Sequence, residues 1–187
     1  IYPPVSINQT GVTPYKAEKP YFLVVSRLVP YKKVDLVVEA FNELGWNLKI
    51  IGTGSQEKKL KSNAATNIEF LGFQKDSVVQ SYYAGCQAVI FPPFEDFGIV
   101  PVEAQAYGKP VIAYGKGGAL ETVREGETGA FFKTQNKESL IEVLKKYFGS
   151  IGENQPFDTD TCIANSQQFS KERFQESIRK LVKDSVH

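Results

Sequence analysis

Two glutamates, Glu95 and Glu103, lie in the stretch PPFEDFGIVPVEAQAYGKPV with seven residues between them. The apolar run before the stretch predicts a buried strand, and the pattern from Gly98 onward predicts a helix. Glu95 is then expected in the connecting loop and Glu103 about one turn into the helix. Carboxylates at such places accept hydrogen bonds from hydroxyl groups, as acidic residues do on ribose. The alternative is an exposed Glu95 and a Glu103 that only caps its helix.

The start of this predicted helix is itself a candidate anion site. Pro101 fits the first turn, where its missing N–H is not needed. The amides of Gly98, Ile99 and Val100 are free there, and the helix dipole favours negative charge. The stretch therefore predicts phosphate on the amides and polyhydroxyl groups on the two acids.

A basic loop, SRLVPYKKVD, follows the first predicted strand. Arg27 and Lys32 are five residues apart, and Pro30 shapes the turn between them. A guanidinium fork and a flexible ammonium that converge on one spot suit a diphosphate. A solvated basic loop is the alternative.

Two glycine-rich turns follow other predicted strands. IIGTGSQ contains Gly52 and Gly54, which let the backbone approach a ligand closely, but it lacks the GxxxxGK[ST] pattern of a P-loop. YGKGGALETV leads into a helix with Glu121 in its first turn. For both turns the alternative is a tight connection without a ligand.

The elements that must position these residues alternate regularly. Strands are predicted at 21–26, 47–52, 68–72, 87–93, 109–115 and 128–133, and helices at 34–44, 55–64, 76–85, 98–108 and 118–126, with further helices from 137 on. This alternation predicts an α/β fold: a doubly wound, Rossmann-like parallel sheet of about six strands with helices on both faces. Ligands in such folds bind beyond the carboxyl ends of the strands, so the loops that follow strands are expected to carry the chemistry.

The composition excludes several classes of function. The chain has 187 residues, 42% of them hydrophobic, and a formal net charge of +1, which predicts one sizeable core and no nucleic-acid partner. No apolar run is long enough to span a bilayer, and no signal peptide is visible. Because the chain starts at Ile1 and contains no methionine, we expect it to be a fragment of a longer protein.

The cysteines and the histidine narrow the chemistry further. Cys86 and Cys162 fit no disulfide or metal motif, so buried free thiols and a reducing, cytoplasmic location are expected. The only histidine, His187, is the last residue, which argues against a histidine-dependent triad or zinc site. The acidic triplet at 158–160 opens a predicted helix, so Asp158 is predicted to be an N-cap and not a metal ligand.

Taken in order, SRLVPYKKVD, IIGTGS, FLGFQKD, EDFGIVPVEAQAYGKPVIA and GGALETVREGETGAFF resemble family 4 of the retaining nucleotide-sugar glycosyltransferases. The resemblance spans roughly residues 1–185. It implies a GT-B fold of two facing Rossmann-like halves, of which this chain resembles the C-terminal, donor-binding half. Residues 1–20 resemble the interdomain linker, and 170–187 resemble the last helix, which crosses back to an N-terminal acceptor domain absent from this chain.

The resemblance assigns a role to each candidate residue. Arg27 and Lys32 would hold the donor diphosphate, Glu95 would contact the transferred sugar, and Glu103 would bind ribose. The remaining donor-binding residues would be the backbone amides of Phe97, Gly98, Ile99 and Val100, the glycines Gly52 and Gly54, and Phe73, Gln74 and Asp76 beside the base. One departure is Lys33, where the family usually has glycine, which puts the backbone geometry of the loop in question.

The implied activity is retaining hexosyl transfer from a nucleotide-diphosphate sugar to a glycan or lipid-linked acceptor in polysaccharide biosynthesis. No metal or other cofactor is required, and a front-face reaction fits because no covalent nucleophile is evident. The sequences of the motifs resemble those of mannosyltransferases that use GDP-mannose. The isolated domain would bind the donor and transfer little. Peripheral attachment of the whole protein to the inner face of a membrane would fit but is not encoded in this chain. A nucleotide-sugar epimerase of the same architecture and a homologue that only binds are the alternatives.

Overall fold

Short strands and helices alternate along the chain in the predicted order. The structure is a computed structural model that describes residues 1–5, 11–149 and 156–185. The strands are β1 (Phe22–Val25), β2 (Leu48–Ile51), β3 (Ile68–Gly72), β4 (Val89–Phe91), β5 (Val111–Tyr114) and β6 (Gly129–Phe132). The helices are α1 (Val34–Leu44), α2 (Glu57–Asn63), α3 (Asp76–Gly85), α4 (Ile99–Ala106), α5 (Ala119–Thr122), α6 (Lys137–Phe148), α7 (Thr159–Ser166) and α8 (Lys171–Ser185). Two 3-10 turns cover Pro30–Lys32 and Gln167–Phe169.

The strands in the described part of the chain form one six-stranded parallel sheet with the order β3-β2-β1-β4-β5-β6. This order is that of doubly wound nucleotide-binding folds, and it confirms the predicted fold class. β1 and β4 are neighbours, with Leu23 beside Val89. The helix after β1 and the helix after β4 lie on opposite faces of the sheet. A crevice therefore opens between the ends of these two strands.

The side chains of each strand alternate between two apolar cores. Phe22 and Val24 of β1 face a core completed by α1 and α6, whereas Leu23 faces a core completed by α3 and α4. Because both faces are covered, the strands read as nearly continuous apolar runs. Helices on both faces were predicted, and this prediction is confirmed.

The helix predicted at 118–126 is much shorter in the structure. α5 ends at Thr122, and Val123 is already extended. A turn follows, in which the Arg124 amide donates to Thr128 Oγ1 at 2.9 Å and the Thr128 amide donates to the Arg124 carbonyl at 3.0 Å. Gly126 lies inside this turn with φ 79°. The turn satisfies these backbone groups and directs the chain into β6, so the helix cannot continue.

The N-cap predicted at Asp158 and the buried free thiols predicted at Cys86 and Cys162 are confirmed. Asp158 caps α7, and its carboxylate accepts hydrogen bonds from the Thr161 amide and hydroxyl, both at 2.7 Å. These bonds hold the pKa of Asp158 below its usual value. Cys86 and Cys162 are buried free thiols. Among the residues that the structure describes, no group of three or more His, Cys, Asp or Glu side chains is arranged to hold a metal ion.

The N-terminal residues and the segment between α7 and α8 meet beside α4. The Val5 amide donates to the Phe169 carbonyl at 2.9 Å, and both side chains pack on Val102. α8 leaves Ile178 and Val182 exposed. Part of the proposed linker (6–10) and His187 lie outside the described residues. The linker and the crossing of the last helix to another domain therefore stay predictions. No helix in the described ranges combines the length and apolarity needed to cross a membrane.

Candidate functional site

A cleft of about 750 Å³ lies at the carboxyl ends of β1 and β2, and we call it the first cleft. It contains seven of the predicted residues: Arg27, Gly52, Gly54, Phe73, Gln74, Asp76 and Glu103. Phe73 is 79% exposed at its edge, while Gln74 is fixed by a hydrogen bond from its side-chain amide to the Leu71 carbonyl at 2.7 Å. An aromatic edge and an oriented amide at one end suit a flat, polar heterocycle.

A second cleft of about 620 Å³ lies at the start of α4. It contains the other six predicted residues: Lys32, Glu95, Phe97, Gly98, Ile99 and Val100. α4 contributes to both clefts, because its first residues line the second cleft and Glu103, one turn later, lines the first. The thirteen residues that the resemblance assigns to a donor site therefore line two clefts that share one helix.

The two cations of the basic loop have different surroundings. Arg27 is exposed and makes no ion pair with any described residue. Lys32 is partly buried and forms an ion pair with Glu95. Burial lowers the pKa of Lys32, and the nearby charge of Arg27 lowers it further. Arg27 and Lys32 line different clefts, so their convergence on one diphosphate stays a prediction.

Lys33 follows them in the left-handed region, with φ 54° and ψ 33°. It is the only non-glycine with positive φ among the described residues. The conformation that suits glycine is therefore kept here by a lysine, at some energetic cost.

Gly52 and Gly54 permit a close approach, but to the neighbouring loop. A Cβ on Gly52 would overlap the Ser26 carbonyl, and one on Gly54 would lie 2.6 Å from the Leu28 carbonyl carbon. The loops are joined by hydrogen bonds from the Ser26 amide to Ile51 and from the Leu28 amide to Thr53, at 3.0 and 2.9 Å. The glycines thus fix the loop that carries Arg27, and they also line the cleft.

The second glycine-rich turn braces the loop of Glu95. The Gly118 amide donates to the Glu95 carbonyl at 2.7 Å. A side chain on Gly118 would overlap the backbone of Phe97, and one on Gly117 would overlap the Glu95 carbonyl. This turn therefore fixes the backbone of the loop that carries Glu95 and Phe97.

The start of α4 has the geometry expected for an anion site. Gly98 is the N-cap, no side chain caps the helix, and its first turn holds no acidic residue. The amides of Phe97, Gly98, Ile99 and Val100 donate to no described residue outside the helix. Such amides carry partial positive charge and need an acceptor from solvent or a ligand.

Glu103 makes a contact that the sequence did not indicate. Its Oε2 accepts a hydrogen bond at 3.0 Å from the hydroxyl of Tyr83, a fully buried residue of α3. The rings of Tyr83 and Tyr107 stack with centroids 5.8 Å apart and an interplanar angle of 9°. Burial raises the pKa of Glu103, the Tyr83 hydrogen bond opposes that rise, and the charge of Asp76 adds to it. Tyr83 and Tyr107 read as ordinary core aromatics in the sequence, and no signal sets them apart.

A buried amide network, which no sequence pattern indicates, holds α4 from the other side. The Gln105 side-chain amide donates to the carbonyls of Pro101 and Thr122 at 3.0 and 2.8 Å. The Asn165 amide on α7 donates to Gln105 Oε1 and to the same Thr122 carbonyl at 2.6 and 2.9 Å. The network joins α4, α5 and α7, so the C-terminal segment helps to position the site.

Comparisons with known proteins identify a family for the chain. The family model described as "Glycosyl transferases group 1" matches residues 8–154. An uncharacterized glycosyltransferase of Methanocaldococcus jannaschii is 32% identical over 166 residues, which is 80% of this chain and 47% of that protein. A glycogen synthase of Thermus thermophilus is 32% identical over 150 residues, which is 75% of this chain and 33% of that protein. The chain thus spans half or less of the curated relatives it matches.

Solved structures show the same fold. Anabaena HepE in complex with UDP has a TM-score of 0.77 at 22% identity, and the match covers 89% of this chain and 49% of HepE. Sucrose-phosphate synthase from Thermosynechococcus elongatus has a TM-score of 0.79 at 22% identity, covering 92% and 47%. These likenesses agree with the Rossmann-like half of a GT-B fold that the resemblance implied. Because the family model matches residues 8–154, which is most of this chain, we conclude that the chain belongs to the group 1 glycosyl transferases.

Proposed function

We propose that this domain binds the nucleotide-diphosphate sugar donor of a retaining hexosyltransferase of family 4. The observation that carries the proposal is the position of α4 between two clefts that together hold every predicted residue. The base would lie by Phe73 and Gln74, and the ribose at Glu103. The diphosphate would lie on the α4 amides between Arg27 and Lys32, with the sugar at Glu95.

This arrangement would favour departure of a nucleoside diphosphate. As the bond from the anomeric carbon to the phosphate oxygen breaks, negative charge grows where Arg27, Lys32 and the α4 amides converge. Groups that are fixed before the reaction stabilise such charge without reorganisation. The acceptor hydroxyl would approach on the face that the phosphate leaves, bond to the anomeric carbon there and pass its proton to the departing phosphate oxygen, which retains the configuration. We propose that no metal ion is needed, because these groups supply the positive charge.

The donor's base and sugar form the finer part of the proposal. Anabaena HepE was solved with UDP-glucose, and an Arabidopsis starch synthase with ADP. Because of these relatives and the glycogen synthases, UDP-glucose and ADP-glucose are the first donors to test. The resemblance of the motif sequences to mannosyltransferases makes GDP-mannose the third. The acceptor, a glycan or lipid-linked sugar of polysaccharide biosynthesis, would be bound by the N-terminal part of the whole protein, in the cytoplasm or at the inner face of a membrane.

The test is calorimetric titration of the domain with UDP-glucose, ADP-glucose and GDP-mannose, each with and without EDTA. We expect saturable binding of at least one donor, unchanged by the chelator. Binding of none would overturn the donor-domain proposal, and binding that EDTA abolishes would overturn its metal-free part.

A further inference from the structure

One polar contact in the first cleft joins the two helices that form its wall. The Tyr83 hydroxyl on α3 donates to Glu103 Oε2 on α4 at 3.0 Å. Tyr83 is only 2% exposed, and Glu103 is half-buried. The other carboxylate oxygen, Oε1, accepts no hydrogen bond from any residue that the structure describes. One oxygen of the carboxylate is therefore fixed, and the other is available to a ligand.

We propose that Tyr83 is a positioning residue that holds Glu103 against the ribose of the nucleotide, so that the pair selects ribonucleotides over 2′-deoxyribonucleotides. The inference rests on the proposed function, because it takes the ribose to lie at Glu103.

The packing of Tyr83 suits this role. Its ring is buried in the core formed with α3 and α4 and stacked in parallel on Tyr107. A ring packed in this way is held in one orientation. Its hydroxyl group therefore holds, through the hydrogen bond, a glutamate side chain that would otherwise sample several rotamers. A carboxylate that is already ordered loses less conformational entropy when a ligand binds.

The protonation states of Tyr83 and Glu103 also suit this role. Burial, together with the neighbouring Glu103, raises the pKa of Tyr83 well above its usual value, so the phenol keeps its proton at neutral pH and acts as a donor. The hydrogen bond from Tyr83 also favours the ionised form of Glu103, against the effects of burial and of Asp76. An ionised carboxylate only accepts hydrogen bonds, which matches the two hydroxyl donors of a ribose. A 2′-deoxyribose offers one donor fewer and leaves a half-buried acceptor without a partner.

The experiment compares UDP, ADP and GDP with their 2′-deoxy counterparts by calorimetry. In the parent domain we expect the ribonucleotide to bind at least about tenfold more tightly than its 2′-deoxy form. Tyr83→Phe should weaken the ribonucleotide about five- to tenfold and leave the 2′-deoxy form nearly unchanged. The ratio of the two affinities should then approach that of Glu103→Gln. In the Glu103→Gln background, Tyr83→Phe should have little further effect, because the two residues act as one unit.

Tyr21→Phe is the matched control. It also removes a buried tyrosine hydroxyl, whose hydrogen bond to the Tyr82 carbonyl at 2.9 Å lies away from the cleft. We expect it to lower the unfolding temperature by a similar amount and to leave the affinity ratio unchanged.

Two outcomes would overturn the inference while the proposed function stands. One is an unchanged ribose preference in folded Tyr83→Phe. The other, which decides the matter if Tyr83→Phe does not fold, is a full ribose preference in Glu103→Asp, whose shorter side chain withdraws the carboxylate from Tyr83. If the parent binds no nucleoside diphosphate at all, the proposed function itself fails, and the inference fails with it.

Discussion

The two clefts share α4 but are held by different kinds of interaction. The first cleft is fixed by backbone hydrogen bonds between the loops after β1 and β2, and by a neutral donor, Tyr83, on the carboxylate of Glu103. The second cleft contains an ion pair between Lys32 and Glu95, and its lining includes three exposed apolar side chains, Tyr31, Phe94 and Ile99.

This difference indicates how each cleft would respond to a ligand. The first can receive a ligand without changing its internal contacts. In the second, the phosphate of the proposed donor would have to compete with Glu95 for Lys32, so one ionic partner would replace another. Arg27, which has no such partner among the described residues, would then contribute more to the initial attraction of an anion than Lys32.

The largest effect is expected from the glycine that joins the two loops of the first cleft. Gly54→Ala should destabilise the domain by about 3 kcal/mol or more and abolish nucleotide binding, because the new Cβ would lie 2.6 Å from the Leu28 carbonyl carbon. Gly126→Ala is the control, since its Cβ meets nothing within 4 Å, and only its positive φ should cost about 1 kcal/mol. Urea denaturation of both variants measures the difference. Equal losses would mean that contact between the loops does not define the cleft.

The next effect concerns Arg27. Arg27→Lys keeps the charge but loses the planar fork, so nucleoside diphosphate binding should weaken by about 1–3 kcal/mol. Arg124→Lys, at an exposed ion pair with Glu127, should leave binding unchanged. Calorimetry with the best nucleoside diphosphate is the measurement. Equal affinity in Arg27→Lys and the parent would show that Arg27 is only a solvated surface residue.

Substitutions of Glu103 and Glu95 should have different effects, because the two residues line different clefts. Glu103→Gln should weaken binding of the nucleotide with or without its sugar by about 1–2 kcal/mol. Glu95→Gln removes the acid that competes with phosphate for Lys32, so bare nucleotide should bind at least as well as before, while turnover of the full-length enzyme falls because a contact at the reacting sugar is lost. Calorimetry and steady-state kinetics test both. The reverse pattern would exchange the assignments of the two carboxylates.

A smaller effect concerns stability and pH. Because burial raises the pKa of Glu103, the free folded domain binds a proton there at a pH where the unfolded chain has lost it. The ionised carboxylate therefore destabilises the folded state as pH rises above the unfolded value. Glu103→Gln should stabilise the free domain at pH 7 by about 0.5–1 kcal/mol, and the gain should vanish below the unfolded pKa. Thermal unfolding from pH 4 to 8 measures it. A gain that does not depend on pH would rule out titration as the cause.

The smallest effect is expected at Lys33. Lys33→Gly relieves a left-handed backbone and should stabilise the domain by about 0.5–1 kcal/mol, with nucleotide affinity retained. Lys33→Val should destabilise it, because a β-branched side chain fits this region poorly. Denaturation midpoints of the two variants should therefore shift in opposite directions. A shift of both in the same direction would contradict the claim that the backbone at Lys33 is strained.

What the sequence predicted follows from local physical rules. Apolar runs and helical spacing placed every strand and nearly every helix, and Asp158 was predicted to be a cap from its position alone. Residues with functional chemistry at the ends of strands were predicted to converge because parallel strands end at one edge. The partners of those residues were not predictable. Tyr83 and Glu103 are 20 residues apart, and Gln105 and Asn165 are 60 apart, so only the folded packing brings them together.

The reach of the amide network matters for anyone who exchanges domains between relatives. The family match ends at residue 154, whereas Asn165 donates the two hydrogen bonds that tie α7 to α4 and to α5. A chimaera joined at that boundary would bring a foreign α7 against Gln105, and a buried amide oxygen would lose its donor unless the newcomer supplied one. A graft intended to transfer donor preference should therefore carry α4 through Phe169 as one piece.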